Sequence, residues 1–354
     1  MESCRTKRLQ LERTTSQAVR LPLLKQIRSA CRVLAMSSRP PESRMEELLR
    51  RAFYSEVLRK VTKTILPLND AGSGPSFYYV HGLLGLATEF RDMVRMLGPN
   101  QNCYGVQAST EKRIARFGAS IREMGKLYAD ELTRFQPMGA FVLGGYSMGA
   151  TIALEVAQQL IAGGRAVSLL VVFDGEIYNT GAELTALNPT YWLKLMRNLP
   201  RWTADELIKN RRAAMRRLRM AVVASHPAEQ FVNLNGLMPD HAAFVRSLYD
   251  AHGSYVPDIY PGRVLVFVSK TQPLFRLRQV ESAWKKIAKN AEIVEVDSRH
   301  IELLKRPHGV PVAERLRTEI ERLNNQLPIA SRSRPAVGSF DQANDAASLT
   351  MPPT

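Results

Sequence analysis

Short apolar runs alternate along this chain with segments whose apolar residues recur every three or four positions. The runs are typical of strands and the recurring spacing is typical of helices. The runs that predict strands are 64–68, 77–80, 103–107, 140–143, 168–173, 262–269 and 291–296. The segments that predict helices are 43–60, 88–97, 120–135, 150–159, 280–288 and 310–323. Strands that alternate with helices indicate an α/β fold with a mostly parallel, doubly wound sheet.

The alternation stops between about residues 178 and 258, where the sequence is helix-like and contains two tryptophans. We expect a helical insertion there, within a domain that spans 61–326. Residues 1–60 are rich in Arg, Ser and Lys, and we expect a basic extension that is partly helical or disordered. Organelle transit peptides share such an Arg-rich, acid-poor composition. Residues 327–354 contain mostly small and polar residues and predict a disordered tail.

The amino-acid composition limits the classes of protein to which the chain can belong. The chain has 354 residues, of which 45% are hydrophobic and 23% are charged, as in ordinary globular proteins. Its three cysteines are far apart, so they predict neither a disulfide framework nor a metal site and favour a reducing, cytoplasmic compartment. No apolar run is long enough to predict a transmembrane helix. The net charge of +16 suggests an acidic partner, a nucleic acid or an anionic membrane.

A G-x-S-x-G pattern at 145–149 follows one predicted strand and precedes a predicted helix. This is the sequence pattern of a nucleophile elbow, a tight strand-to-helix turn that exposes a serine hydroxyl above the sheet. The flanking glycines are needed because side chains there would collide with the neighbouring strand and helix. Ser147 is therefore the candidate nucleophile.

A nucleophilic serine needs a base and an acid that orients the base, in the chain order Ser, Asp or Glu, His. His300 follows the last predicted strand by four positions and is the candidate base, with His308 as its rival. Asp174 ends the strand at 168–173 and is the candidate acid. Asp297 is the alternative, since the strand at 262–269 ends without a carboxylate.

The oxyanion of a tetrahedral intermediate needs backbone N–H donors. The amide of Met148, directly after the nucleophile, is the first candidate. The second belongs to the loop at 81–85, where Leu83 is our choice and Leu84 the alternative.

Six motifs, in order over about residues 62–323, resemble the thioesterase domains of nonribosomal peptide, polyketide and animal fatty acid synthases. They are 77–82, 104–107, 143–157, 173–175, 255–263 and 300–304. The chain departs from the family in the loop at 81–85, where Gly82 replaces a proline and Leu84 a glycine. The resemblance implies an α/β-hydrolase fold, and it implies that the insertion at 178–258 is a helical lid over the acyl pocket.

The resemblance also implies a substrate, which is an acyl, peptidyl or polyketide thioester on the phosphopantetheine arm of a carrier protein. An acyl-Ser147 intermediate would be released by hydrolysis or cyclisation, with no cofactor of the chain's own. No G-x-D-S carrier attachment site occurs in the chain, so we expect the carrier in trans. A basic helix face is a candidate docking site for an acidic carrier, or simply a solvated face. Its residues are Lys209, Arg212, Arg216 and Arg219.

Two alternatives remain open from the sequence. The same three residues would serve a carboxylic-ester hydrolase or an acyltransferase, because a fold does not determine its substrate. The second alternative is a non-catalytic protein that binds nucleic acid or membrane through its basic surface. The presence of the Ser, Asp and His set argues against it. We therefore expect an enzyme that has no nucleic acid as a partner.

Overall fold

The structure, a computed structural model, describes residues 64–70, 72, 74–108, 120–180, 189–203, 226–230, 232, 234–237, 239–271 and 280–326. The chain divides into two compact units, of which the larger comprises 61–234 and 239–336. The smaller comprises 1–60, 235–238 and 337–354. The predicted extension, its helix at 43–60, the tail at 327–354 and the basic residues at 209–219 lie outside the described residues.

Seven strands form a single sheet in the order β1-β3-β2-β4-β5-β6-β7. They are β1 (Ile65–Asn69), β2 (Phe77–Val80), β3 (Cys103–Val106), β4 (Phe141–Tyr146), β5 (Val167–Phe173), β6 (Val264–Thr271) and β7 (Ala291–Arg299). β1 pairs antiparallel with β3, and the remaining neighbours are parallel. The predicted mostly parallel sheet is confirmed.

The α-helices of the described residues fall between the strands as the pattern predicts. They are α1 (Arg91–Leu97), α2 (Ile121–Phe135), α3 (Met148–Ala162), α4 (Pro189–Trp202), α5 (Pro239–Ser254), α6 (Val280–Ile287) and α7 (Gly309–Gln326). Local chemistry marks their ends: the Ser120 hydroxyl accepts from the Glu123 amide at the start of α2. Gly164, with φ of 77°, follows the end of α3.

Helices cover both faces of the sheet, as a doubly wound fold requires. Phe77 and Tyr79 of β2 point to one face, into a core with residues of α1 and α7. Tyr78 points to the other face, where its ring lies 6.3 Å from that of Phe135 in α2. Because successive strand residues point to opposite faces, a strand buried on both sides reads as a continuous apolar run.

The last strand is longer than the sequence predicts. The apolar pattern ends at Val296, but β7 continues to Arg299, because Thr271 of β6 still pairs with Arg299. Ser298 is buried there, and its hydroxyl donates to that of Ser269. His300 therefore follows the strand directly, rather than standing in a loop four residues beyond the strand end.

Helices α4 and α5 both lie within the interval 178–258. The two ends of this interval are joined, because the side-chain Nδ2 of Asn179 donates to the carbonyls of Gly253 at 2.8 Å and Tyr255 at 2.9 Å. Four large apolar residues of α4 are exposed: Trp192, Leu193, Met196 and Leu199. None of the helices in the described residues has the length and apolar character needed to cross a bilayer.

A buried carboxylate fastens α7 to the sheet. Glu319 of α7 accepts from Arg263, just before β6, at 2.5 Å, from Arg322 at 3.2 Å, and also from Arg315. Its hydrogen bond with Arg263 is the main reason that the pKa of Glu319 is lowered from 4.5 to about 2. A carboxylate with a lowered pKa stabilises the folded state in its ionised form.

We expect Glu319→Gln to lower the free energy of unfolding at pH 7 by about 3 kcal/mol, because three guanidinium groups lose a buried partner. The stabilisation is complete above the ordinary pKa of 4.5 and is lost as the pH falls towards about 2. Urea unfolding at pH 7, 5 and 3.5 should therefore show a difference from wild type that narrows with acid. Glu321→Gln, at an exposed position of the same helix, is the control. Equal losses in both variants, or a loss independent of pH, would contradict this account.

Candidate active site

Ser147 occupies a strained turn between β4 and α3, with φ of 55° and ψ of −124°. Its amide donates to the Phe173 carbonyl at the end of β5, at 3.0 Å. A Cβ atom on Gly145 would lie 2.1 Å from the Gly149 carbonyl oxygen, and one on Gly149 would lie 2.5 Å from the His81 carbonyl oxygen. Only glycine fits at these two positions, and the turn has the geometry of a nucleophile elbow.

Asp174 and His300 meet at the same edge of the sheet. The buried Asp174 carboxylate accepts from the Ser269 amide at 3.1 Å and from Nδ1 of His300 at 2.7 Å. Since a carboxylate only accepts, Nδ1 carries the proton, and a neutral His300 ring presents the lone pair of Nε2. The segment after Asp174 touches the elbow, because a Cβ atom on Gly175 would lie 2.7 Å from the Ser147 carbonyl oxygen.

Neither rival residue is placed as well as His300 and Asp174. His308 donates through Nδ1 to the main-chain carbonyl of Asp297 at 2.7 Å, and its Nε2 lies 3.9 Å from Glu302. The Asp297 side chain is exposed. The geometry favours His300 as base and Asp174 as acid over both rivals.

Besides Asp174, Tyr146 also holds His300 in position, a role that the sequence did not indicate. Its hydroxyl donates to the His300 carbonyl at 2.8 Å, and its ring stacks on the imidazole with centroids 4.6 Å apart. The position before the nucleophile carries no requirement in the G-x-S-x-G pattern. An aromatic residue there was the only signal.

The loop at 81–85 contains engaged and free amides. The engaged amides are those of His81, bonded to the Val106 carbonyl, Gly82, bonded to the Glu89 carboxylate, and Gly85, bonded to the Gly82 carbonyl. Within the described part of the chain, the amides of Leu83 and Leu84 donate to no acceptor. These two are the alternatives that the sequence left open. Met148, as the first residue of α3, likewise has no intrahelical acceptor for its amide.

His81 orients the peptide that carries the Leu83 amide, and the sequence reasoning gave it no role. Its Nδ1 donates to the Gly82 carbonyl at 2.7 Å, and its Nε2 accepts from the Tyr128 hydroxyl at 2.8 Å. Complete burial lowers the pKa of His81 to about 4, so the ring is neutral near pH 7. In a trans peptide the N–H points opposite to the C=O, so anchoring the Gly82 carbonyl also aims the N–H of Leu83.

Other predicted site residues are not among those that the structure describes. Lys209, Arg212, Arg216 and Arg219 lie in the stretch 204–225, outside the described residues. Among the described residues, no three His, Cys, Asp or Glu side chains are grouped so that they could hold a metal ion.

The order of the candidate residues along the fold is informative. The serine follows β4, the aspartate follows β5 and the histidine follows β7, at one edge of a mostly parallel sheet. This is the Ser, Asp, His order of the α/β-hydrolases, and the strained strand-to-helix turn is their nucleophile elbow. Sheet and site together define that class.

The thioesterase domain family model matches residues 76–320, more than half of the chain, so the chain belongs to the thioesterase domain family. The chain is 28% identical over 246 residues to enterobactin synthase component F of Escherichia coli (strain K12), covering 68% of this chain and 17% of that protein. It is 36% identical over 110 residues to malpibaldin synthetase of Mortierella alpina, covering 31% of this chain and 2% of that protein. The chain therefore spans less than a fifth of either relative's length.

Solved structures show the same fold. The NocB thioesterase domain from the nocardicin cluster aligns with a TM-score of 0.50 at 21% identity, covering 73% of this chain and 99% of that one. The Vlm2 thioesterase domain, solved with a bound dodecadepsipeptide, aligns with a TM-score of 0.50 at 20% identity, covering 73% and 98%. The resemblance inferred from the motifs is confirmed at the level of the family and the fold.

We expect Tyr146→Phe to slow the labelling of Ser147 by a fluorophosphonate about threefold to tenfold, since one neutral hydrogen bond to the His300 backbone is lost while the ring remains. Tyr146→Leu, which also loses the stacked ring, should slow it further. Labelling rates followed by intact-protein mass spectrometry measure both effects. Thermal unfolding of the two variants serves as the control for folding. Labelling of both at the wild-type rate would show that Tyr146 does not support His300.

Proposed function

We propose that this chain is a serine thioesterase that releases acyl, peptidyl or polyketide chains from the phosphopantetheine thioester of a carrier protein. The hydrogen bond of 2.7 Å between Asp174 and His300, in a chain of the thioesterase family, is the observation that carries the proposal. An aspartate that fixes the histidine tautomer leaves Nε2 unprotonated, as a base for a serine nucleophile must be.

In the first half of the reaction, Ser147 Oγ attacks the thioester carbonyl carbon while Nε2 of His300 takes the hydroxyl proton. The carbonyl π electrons move to oxygen, and the oxyanion accepts from the amides of Met148 and Leu83. The intermediate then collapses, the carbon–sulfur bond breaks, and the phosphopantetheine sulfur takes the proton from His300. An ester between the acyl group and Ser147 remains.

In the second half, His300 takes a proton from the nucleophile that attacks the acyl-Ser147 ester. Water gives a free acid by hydrolysis, and a hydroxyl or amine of the acyl chain gives a cyclic product. The carbon–oxygen bond to Ser147 breaks, and the proton on His300 returns to the serine oxygen. The reaction as proposed uses only side chains and amides of this chain, and the phosphopantetheine arrives with the carrier.

The apolar surface of the lid is evidence that the substrate carries an acyl chain and is not a small molecule. The interval 178–258 contributes α4, whose exposed apolar residues give the lid a hydrophobic surface. Trp192, Leu193 and Met196 are each more than half exposed, which is uncommon for a soluble surface helix. We assign the interval as the lid and these residues as contacts for the acyl chain.

We expect the wild type to release thiol from a panel of acyl-pantetheine thioesters, with a rate that depends on acyl length. Ser147→Ala should lower kcat by about 10⁴-fold or more, because the nucleophile is lost. Ser254→Ala, in a helix of the lid, is the control and should retain activity. Faster turnover of p-nitrophenyl esters than of any thioester would favour the carboxylic-ester hydrolase. A protein that turns over neither, and that binds nucleic acid or anionic vesicles without Ser147, would be the non-catalytic alternative.

We further propose that Lys209, Arg212, Arg216 and Arg219 dock an acidic carrier protein supplied in trans. Replacing all four with glutamine should raise the apparent KM for an acyl carrier protein about tenfold or more at low salt, because rim charges mainly govern association. The KM for the matching acyl-pantetheine should stay unchanged. The matched control replaces four exposed lysines, which are Lys126, Lys285, Lys286 and Lys289. Equal effects of the two quadruple variants, or equal effects on both substrates, would reject docking at this face.

A further inference from the structure

Helix α5 of the lid touches the loop that carries the candidate oxyanion donors. Nε2 of His241 lies 3.0 Å from the Leu84 carbonyl oxygen, and the His241 side chain is buried. Phe244, one turn further along α5, packs against Gly85, where a Cβ atom would lie 2.8 Å from its ring. The rings of His241 and Phe244 stack with centroids 6.2 Å apart. The lid and the loop therefore meet through one hydrogen bond and one close apolar contact.

The hydrogen bond from His241 continues through the backbone of the loop. The Leu84 carbonyl belongs to the peptide whose N–H is that of Gly85, and this N–H donates to the Gly82 carbonyl at 3.1 Å. The Gly82 carbonyl in turn belongs to the peptide whose N–H is that of Leu83. Each of the two peptides accepts at its oxygen; the first donates through Gly85 N–H, and the second presents Leu83 N–H, which has no acceptor within the described residues. Such chains polarise and align their members cooperatively.

The other side of the loop is anchored from the sheet, through the hydrogen bond from His81 to the Gly82 carbonyl at 2.7 Å. That anchor fixes only the peptide between Gly82 and Leu83. The peptide between Leu84 and Gly85 depends on His241 at its oxygen. Gly85 has φ of 77°, a conformation open to glycine with little internal restraint. The Gly85 carbonyl is held from the segment after β3, by the Ala108 amide at 2.9 Å. The Leu84 carbonyl is held from α5, by His241.

We propose that His241 is a positioning residue for the oxyanion hole, acting through the chain of peptides from Leu84 to the N–H of Leu83. The proposal deepens the proposed function and rests on it. It means that the catalytic loop is complete only while α5 lies against it. A lid displaced from the loop would leave the nucleophile and its base intact and weaken the stabilisation of the tetrahedral intermediate.

The donor in this contact is unambiguous. A carbonyl oxygen only accepts, so Nε2 of His241 carries the proton that is donated to Leu84. Burial lowers the pKa of His241, so the ring is neutral near pH 7. A side chain that presents an N–H at the same reach can replace the imidazole in this role, and an apolar one cannot.

The test compares His241→Gln, which keeps an N–H donor at similar reach, with His241→Met, which has similar size and no donor. With an acyl-pantetheine as substrate, we expect His241→Met to lower kcat about 10- to 30-fold, less than the outright loss of an oxyanion donor. KM should change less than about twofold, and His241→Gln should recover most of kcat. His241→Phe, which keeps a ring against Phe244, should behave as His241→Met does.

A second readout separates this proposal from the proposed function. The rate of Ser147 labelling by a fluorophosphonate depends on the oxyanion hole and not on thioester turnover, and it should fall in His241→Met and recover in His241→Gln. If the wild type is labelled at Ser147 but turns over no thioester, the proposed function is rejected. The labelling rates of the His241 variants then still decide the role of His241. Equal kcat and equal labelling in the Gln, Met and Phe variants would overturn the positioning role. So would a loss in His241→Met that appears in KM alone.

Discussion

Close backbone approach at the strand-to-helix turn is the constraint on which the rest of the site depends. The carbonyl ends of β2, the start of α3 and the segment after β5 come together at distances that only glycine allows, at Gly145, Gly149 and Gly175. A side chain at any of them would collide with the neighbouring backbone and force these segments apart. The strained conformation of Ser147 persists because these neighbours hold it from three sides. Strain at one residue is therefore sustained by packing among several segments.

Much of the fold and the positions of Ser147, Asp174 and His300 were predictable from the sequence. Buried parallel strands appear in the sequence as apolar runs, and their carboxyl ends meet at one edge of the sheet. A polar residue just after such a run is therefore a candidate site residue from the sequence alone. The end of β7 was not predictable, because β7 is the edge strand and its last residues are polar while still paired. An apolar pattern marks burial, and an edge strand can continue where burial ends.

The contacts that refine the site were beyond sequence reasoning for a different reason. The choice between Leu83 and Leu84 concerns amides, which carry no side-chain signature, and the structure leaves both amides free within the described residues. Tyr146 and His241 act on partners more than 150 positions away in the chain. Such pairs follow from the three-dimensional packing of loop, lid and sheet, which local periodicity does not encode.

Two hydrogen bonds from the Asn179 side chain join the ends of the interval 178–258, which we propose is the lid, so that it forms a closed insertion. An insertion whose two ends are joined at its base can be exchanged between relatives without a change in the underlying sheet. The bond from His241 to Leu84 limits that freedom, since it is a contact between the insertion and the catalytic frame. If His241 has the role that we propose, a grafted lid must also supply a donor for the Leu84 carbonyl. The proposal therefore predicts that exchanging the lid changes the reaction rate together with the acyl specificity.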